Sequence, residues 1–251
     1  MRVLQCNTFD LASVLRENKL DPAVKVRWKC CEQVNPLILI TQNFVPKMKD
    51  HLLSRLYGYE YNSDEHLFTD DERNDLWIIG GLNQVIESTI FWVNYTAYDF
   101  HCEQDVMRLG PGCFIMTLSW EDGHDGHPFW YVQVIWAFHI EVLHVGPNAW
   151  CHSPQSMELL WVHWLGVESW YHWGFWEARL PKVGFVPESN YNAFGFLDPS
   201  LVICGCHLIP AFSDGRTTVL LRQGASIARH PTEDDDWSSY YVNMYVFFLS
   251  S

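Results

Sequence analysis

Hydrophobic residues recur at helical spacing in one early stretch of this chain and at every second position through much of the remainder. From Pro46, whose fixed φ suits a first helical turn, Met48, Leu52, Leu53, Leu56 and Tyr57 fall on one face, and Gly58 can close the element. The spacing predicts a helix over 46–57 whose stripe serves ordinary core packing. Thr69 and Glu72 spell a T-x-x-E capping box, so a short helical turn is expected to begin there. Apolar runs at 76–79 and 85–86 flank Gly80-Gly81 and read as a hairpin, and 90–98 reads as another strand. Leu109-Gly110-Pro111-Gly112 is a breaker and the best position for a domain boundary. Residues 1–43 give no coherent pattern beyond a short helix around Leu11–Glu17 and an apolar run at Leu37–Ile40.

Beyond the breaker the period is two. Phe114–Leu118 predicts a short strand, and an acidic loop succeeds it at 121–126. Phe129–Leu143 then alternates, with Trp130, Val132, Val134, Trp136, Phe138 and Ile140 on one face and Tyr131, Gln133, Ile135, His139 and Glu141 on the other. Gly146-Pro147-Asn148 turns the chain, and later strands are expected at 157–165, 202–209 and 240–249. Short strands between Gly/Pro turns suggest a partly open barrel. The expected fold class is therefore α+β, mostly β, in three parts: an unassigned segment 1–43, a helix with a small β element over 44–110, and a β-barrel-like domain over 111–251.

Composition supports that class. The chain has 251 residues, enough to bury a sizeable core, and 16% of them are aromatic, with 13 Trp, which favours strands. Thirty Asp and Glu against 16 Lys and Arg give a formal charge of −14, which repels phosphate backbones and attracts basic partners. The acid gathers at Asp64-Glu65, Asp70-Asp71-Glu72, Glu121-Asp122 with Asp125, and Glu233–Asp236. Such runs are ordinarily solvated loops, and they also suit docking of Lys/Arg-rich tails. Eight Cys lack zinc-like or secretory spacing, the N-terminus has no continuous apolar stretch, and the apolar run 129–145 is interrupted by Gln133, His139 and Glu141. The expectation is an intracellular protein with reduced thiols and no membrane span; Asn94-Tyr95-Thr96 is then a chance sequon.

From Phe44 onward the strings FVPKMKDHLLSRLYG, FTDDERN, VNYTAYD, HPFWYVQVIWAFHIEV, MELLWVHWLG, VGFVPES, NAFGFLDPS, CHLIPAF and YYVNMYV occur in order. Over about four fifths of its length the chain resembles a large group of uncharacterised proteins of mushroom-forming (basidiomycete) fungi. Those are linked to transposable elements of the Plavaka or Kyakuja-Dileera-Zisupton kind. The resemblance implies a mobile-element origin and a nuclear setting. This chain has Gln133, His163 and Cys204 where that group has Arg, a less basic segment at 176–182, and an ending at 246–251 in place of a charged continuation. These departures resemble a decayed or truncated copy and weigh against a nucleic-acid role. A second, local resemblance is to bromo-adjacent homology (BAH) domains, on Trp130–Val134, Leu160–Leu165 and Ile203–Cys206. It implies a BAH-like or SH3-like barrel that reads basic tails.

No complete catalytic motif stands in the sequence. His139-x-Glu141 matches the first half of a zinc deaminase signature, but the P-C-x-x-C pair that would complete the metal site is missing. His139, Glu141 and His144 do not spell H-E-x-x-H and fall on a strand. Cys204-x-Cys206-His207 offers soft ligands without a fourth, and buried structural Cys is the expected reading. The acidic loop 122–127 reads as a solvated turn. There is no nucleophile elbow, Walker loop or dinucleotide fingerprint. The expectation is thus not an enzyme, with no cofactor and no metal. The favoured function is an interaction module binding a basic or methyl-lysine peptide; the alternative is a DNA-contacting accessory domain of a transposase. The candidate ligand site is an aromatic cage of Phe129, Tyr131, Trp161 and Trp164 rimmed by Glu121, Asp122 and Asp125, because aromatic faces attract ammonium groups by about 0.5–2 kcal/mol per contact. Ordinary core packing is the competing reading, and burial decides between them.

Overall fold

The computed structural model describes residues 27–33, 43–59, 66–79, 86–96, 102–119, 127–168, 170–173, 179–221, 228–230 and 232–243. The runs at 11–17 and 37–40, the Gly80-Gly81 turn, the rim residues Glu121, Asp122 and Asp125, and the strand end 244–249 lie outside them. Among the described residues two α-helices stand beside many strands, as the mostly-β α+β class expects. Helix α1 (Phe44–Leu56) starts two residues before Pro46, and its chain turns away at Gly58, whose φ of +69° is the left-handed conformation that glycine adopts without penalty. The turn α2 (Asp70–Asn74) is capped by Thr69 and Glu72 in the reciprocal arrangement that their spacing predicts.

The buried face of α1 is wider than its apolar stripe. It takes in Phe44, Met48, Leu52 and Leu53, and also Lys47, Asp50 and His51. Lys47 reaches the carbonyls of Tyr191 and Phe194 at 2.5 and 2.7 Å, which lets a buried ammonium fasten the helix to the chain beyond it. Asp50 accepts two 2.7 Å hydrogen bonds from Arg73, a bidentate pair that ties α2 to α1 and holds the Arg73 guanidinium well above its usual pKa.

Strands β1 (Arg27–Gln33), β2 (Leu76–Ile78), β3 (Ile86–Thr96), β4 (Cys102–Arg108), β5 (Phe114–Leu118), β6 (Phe129–His144), β7 (Gln155–Val167), β8 (Lys182–Phe185), β9 (Phe194–Leu197), β10 (Val202–Gly205), β11 (His207–Pro210) and β14 (Tyr240–Asn243) form one sheet. A separate ribbon joins β12 (Arg216–Thr217) to β13 (Asp236–Trp237). The main order is β1-β3-β6-β7-β8-β14-β11, with β4 on β3, β2 and β5 also on β6, β9 on β7, and β10 on β5. Hydrogen bonding thus runs across the breaker at 109–112: β2 and β3 pair with β6, as β5 does. Within residues 1–43, the stretch that lacks a sequence pattern contributes β1 to the same sheet. β2 and β3 lie one after the other along β6, at 142–144 and 137–139, each taking that long strand as its partner.

β6 and β7 make the spine. β7 alternates regularly: Met157, Leu159, Trp161 and Leu165 are buried on one face, Leu160 and Val162 on the other. β6 does not. Its register against β7 shifts between Val134 and Trp136, where Ile135 is the inserted residue of a bulge. Before the bulge the odd residues Phe129 and Tyr131 share the face of Leu165, while Val132 and Val134 pack with Leu160 and Val162. After it, the even residues Phe138, Ile140 and Val142 take the face under α1. The single continuous alternation expected over 129–143 is therefore corrected, because one extra residue exchanges the two sides of a strand.

Candidate functional site

The four-ring cage is not formed. Phe129 and Tyr131 are 0% exposed and Trp161 is 1% exposed. Trp161 sits among Phe44, Phe194 and Phe196 at 4.9, 6.0 and 4.7 Å between ring centres, beneath α1. Phe129 and Tyr131 belong with Met116, Val183, Phe185, Cys204 and Cys206 in another part of the core. Trp164 points to the opposite face, half-buried and edge-on to Trp130 at 5.8 Å. A ligand cannot reach faces packed against neighbours, so aromatic residues at strand spacing are core here.

An aromatic box does exist elsewhere, on residues that the sequence pattern does not single out. Trp170 and Tyr171 lie just beyond β7, Lys182 opens β8, Tyr241 lies beside Lys182 as its cross-strand partner in β14, and Asp214 ends the 3-10 turn Phe212–Asp214. The Lys182 ammonium stands 4.9 Å from the Trp170 ring centre, 5.5 Å from Tyr171 and 5.8 Å from Tyr241. It is 2.5 Å from Asp214 Oδ2, which also accepts from Ser239 Oγ. Trp170 and Tyr171 stand at 86°, and Tyr171 and Tyr241 at 56°, so the rings enclose the cation as walls. Burial works against the charge on Lys182, yet the Asp214 hydrogen bond and charge raise its pKa above the usual value. Lys182 in turn holds the Asp214 carboxyl below its usual range. Tandem aromatics at 170–171 and 240–241 are the local signal; that they converge on Lys182 is set by strand pairing alone.

The box adjoins a second such arrangement on the β12–β13 ribbon. The Arg216 guanidinium lies 4.9 Å over the Trp237 ring, 2.5 Å from Asp235 and 3.5 Å from Glu233. Phe212 meets Trp237 edge-on at 5.1 Å and is 70% exposed; Trp170 is 66% and Val219 76% exposed. The acidic run 233–235 is thus placed beside solvent-facing apolar side chains, while Asp236 turns inward to a buried pair with Arg229.

Among the described residues, the titratable groups outside this face form no assembled reaction centre. Ser156 Oγ is 2.9 Å from His139 Nε2, and Glu158 is the nearest carboxylate to the other ring nitrogen. That separation is 3.8 Å, beyond a hydrogen bond, and both groups are a third exposed, so the ring lacks the orienting partner that an activated serine needs. A cleft of about 260 Å³ beside them is lined by Arg55, Glu158 and Asp198, and Arg55 is already engaged by Asp198 at 2.7 Å and by the Glu158 carbonyl at 2.5 Å. His51, His127 and His163 are buried and neutral, their pKa values pushed down by desolvation to about 3, 4 and 4. Cys204 and Cys206 are buried with thiol pKa values raised by burial, as expected of structural cysteines. Among the described residues no group of three His, Cys, Asp or Glu is arranged to hold a metal, and no helix is long and apolar enough to cross a membrane. Comparison of the chain with protein-family models, curated proteins and solved structures finds no match.

Proposed function

We propose that this protein is a non-catalytic interaction module that docks a lysine- and arginine-rich segment of another protein on the face formed by Trp170, Phe212, Val219 and the β12–β13 ribbon. The observation that carries the reading is that this face already seats two cations, Lys182 and Arg216, each on aromatic rings and beside a carboxylate. The same chemistry accepts a partner's basic side chains, with the apolar rings supplying contact area and Glu233, Asp234 and the overall charge of −14 steering the approach. That charge also argues against the DNA-contacting alternative, since a phosphate backbone would be repelled.

We read part of the sheet as a small barrel of the SH3-like or BAH-like kind, an architecture that agrees with a docking role. The pairings run β5 to β6, β7, β8, β14 and β11, and return from β10, continuous with β11 through Cys206, to β5. Met116, Phe129, Tyr131, Leu165, Val183, Cys204 and Val242 fill the inside of that circuit. The resemblance of the ordered strings to the fungal proteins supports a mobile-element origin and a nuclear setting. The test is titration of an unmodified lysine-rich peptide at low and moderate salt. We expect binding that Phe212→Ala and the double change Asp234→Lys, Asp235→Lys each weaken at least fivefold, with part of the affinity surviving salt. Binding that disappears with salt and ignores Phe212→Ala would reduce the interaction to nonspecific attraction.

A further inference from the structure

We propose that Trp170, Tyr171 and Tyr241 form an alkylammonium-binding box that the chain keeps closed with its own Lys182, and that an incoming lysine or methylated lysine side chain occupies it when Lys182 swings out. The inference deepens the docking reading and rests on it for the source of the incoming side chain. Three features make Lys182 a plug and not only a strut.

First, the walls come from separate stretches of chain: the segment after β7, strand β14 and, for the carboxylate, the turn Phe212–Asp214. The box does not depend on Lys182 for its shape. Tyr241 is held by the β8–β14 and β11–β14 ladders, Trp170 by a 2.8 Å bond from its Nε1 to Glu168, and Asp214 by Ser239 and Ser213. Second, the Lys182 main chain is fixed independently of its ammonium, through its pairing with Tyr241 and a 3.0 Å bond from Glu168 N to its carbonyl. Four side-chain torsions can therefore carry the ammonium out while the strand stays in place. Third, the Trp170 wall is 66% exposed, so solvent lies one indole away from a side chain that is itself only 5% exposed.

A plug of this kind is an intramolecular competitor. Its effective concentration is set by the short tether and lies in the millimolar range or above, so it masks weaker external ammonium ligands until it is removed. Methylation favours the external ligand, because a methylated ammonium is poorly hydrated and loses less on entering aromatic walls, while it competes with an unmethylated Lys182.

Lys182→Ala removes the ammonium that lies against all three rings and leaves Asp214, the rings and the Arg179 guanidinium 5.8 Å from the Tyr171 ring centre. We expect tetramethylammonium to bind this variant at least tenfold more tightly than the wild type, read from indole fluorescence, with the gain abolished in Lys182→Ala, Tyr241→Ala. A folded Lys182→Ala that binds no more tightly than wild type overturns the proposal. A second measurement uses the unaltered protein and needs no variant to fold. An amine-acylating reagent is applied with and without tetramethylammonium, and each lysine is followed by mass spectrometry. We expect the cation to accelerate acylation of Lys182 while the other lysines are unchanged; an unaltered Lys182 rate overturns the proposal. Both tests use a small cation and no peptide. Success here together with failure of the lysine-rich peptide to bind keeps the box and removes the docking reading, and the reverse result removes only the box.

Discussion

Trp161 separates the core reading of the aromatic strands from the ligand-site reading most sharply. It heads the large, fully buried side chains and touches Phe44 from α1 and Phe194 and Phe196 from β9. Trp161→Ala removes this contact and opens a cavity between helix and sheet. Buried Trp and Phe truncations of this type cost about 3–5 kcal/mol. At roughly 2–4 °C per kcal/mol for a chain of this size, the melting temperature should fall by about 6–20 °C. Trp161→Phe is the informative companion. Among the described residues the indole Nε1 is buried without a hydrogen-bond partner, and removing it relieves a penalty of about 1–3 kcal/mol that offsets part of the smaller cavity. The net loss should stay below about 2 kcal/mol. Urea unfolding followed by far-ultraviolet circular dichroism measures both. Trp161→Phe should keep the wild-type affinity for a lysine-rich peptide. If Trp161→Ala costs under about 1 kcal/mol and abolishes peptide binding, the ring is a binding residue and its assignment to the core is wrong.

Acid should destabilise the fold through its buried histidines. The unfolded chain binds their protons near pH 6.5 and the folded one only near 4 for His127 and His163 and near 3 for His51, so the stabilisation is complete above about pH 6.5 and is lost as pH falls towards 4. The expected slope is up to ~1.4 kcal/mol per pH unit for each histidine, and His163→Gln should flatten it; an unfolding midpoint constant from pH 6.5 to 4.5 would contradict this. Thr69→Ala removes the capping box of α2 and should cost about 1 kcal/mol, measured in the same urea titration. Among Cys113, Cys151, Cys204 and Cys206, a maleimide reagent should modify Cys151 first, because Ser153 hydrogen bonds lower its pKa while burial raises the other three; peptide mapping reads the order.

Whatever depends on neighbours along the chain was legible in the linear pattern. The helical stripe from Met48 to Leu53, the closing Gly58, the Thr69–Glu72 box, the strand Phe114–Leu118 and the long strands of β6 and β7 all arise from local spacing and backbone preference. Tertiary structure decided which faces those elements bury. A strand's alternation fixes two sides but does not name the inner one, and the bulge at Ile135 exchanges the sides of β6 midway, which no periodicity within 129–143 reveals. Coverage of one face of the spine then removed Phe129, Tyr131 and Trp161 from the surface, since the helix and β9 cover Trp161 while the strands packed around Met116, Val183 and Val242 cover Phe129 and Tyr131. Strand pairing, in the same way, brought Trp170, Tyr171 and Asp214 around Lys182 beside its partner Tyr241. Contacts between residues distant in sequence are set by strand pairing and register, and a linear pattern carries neither.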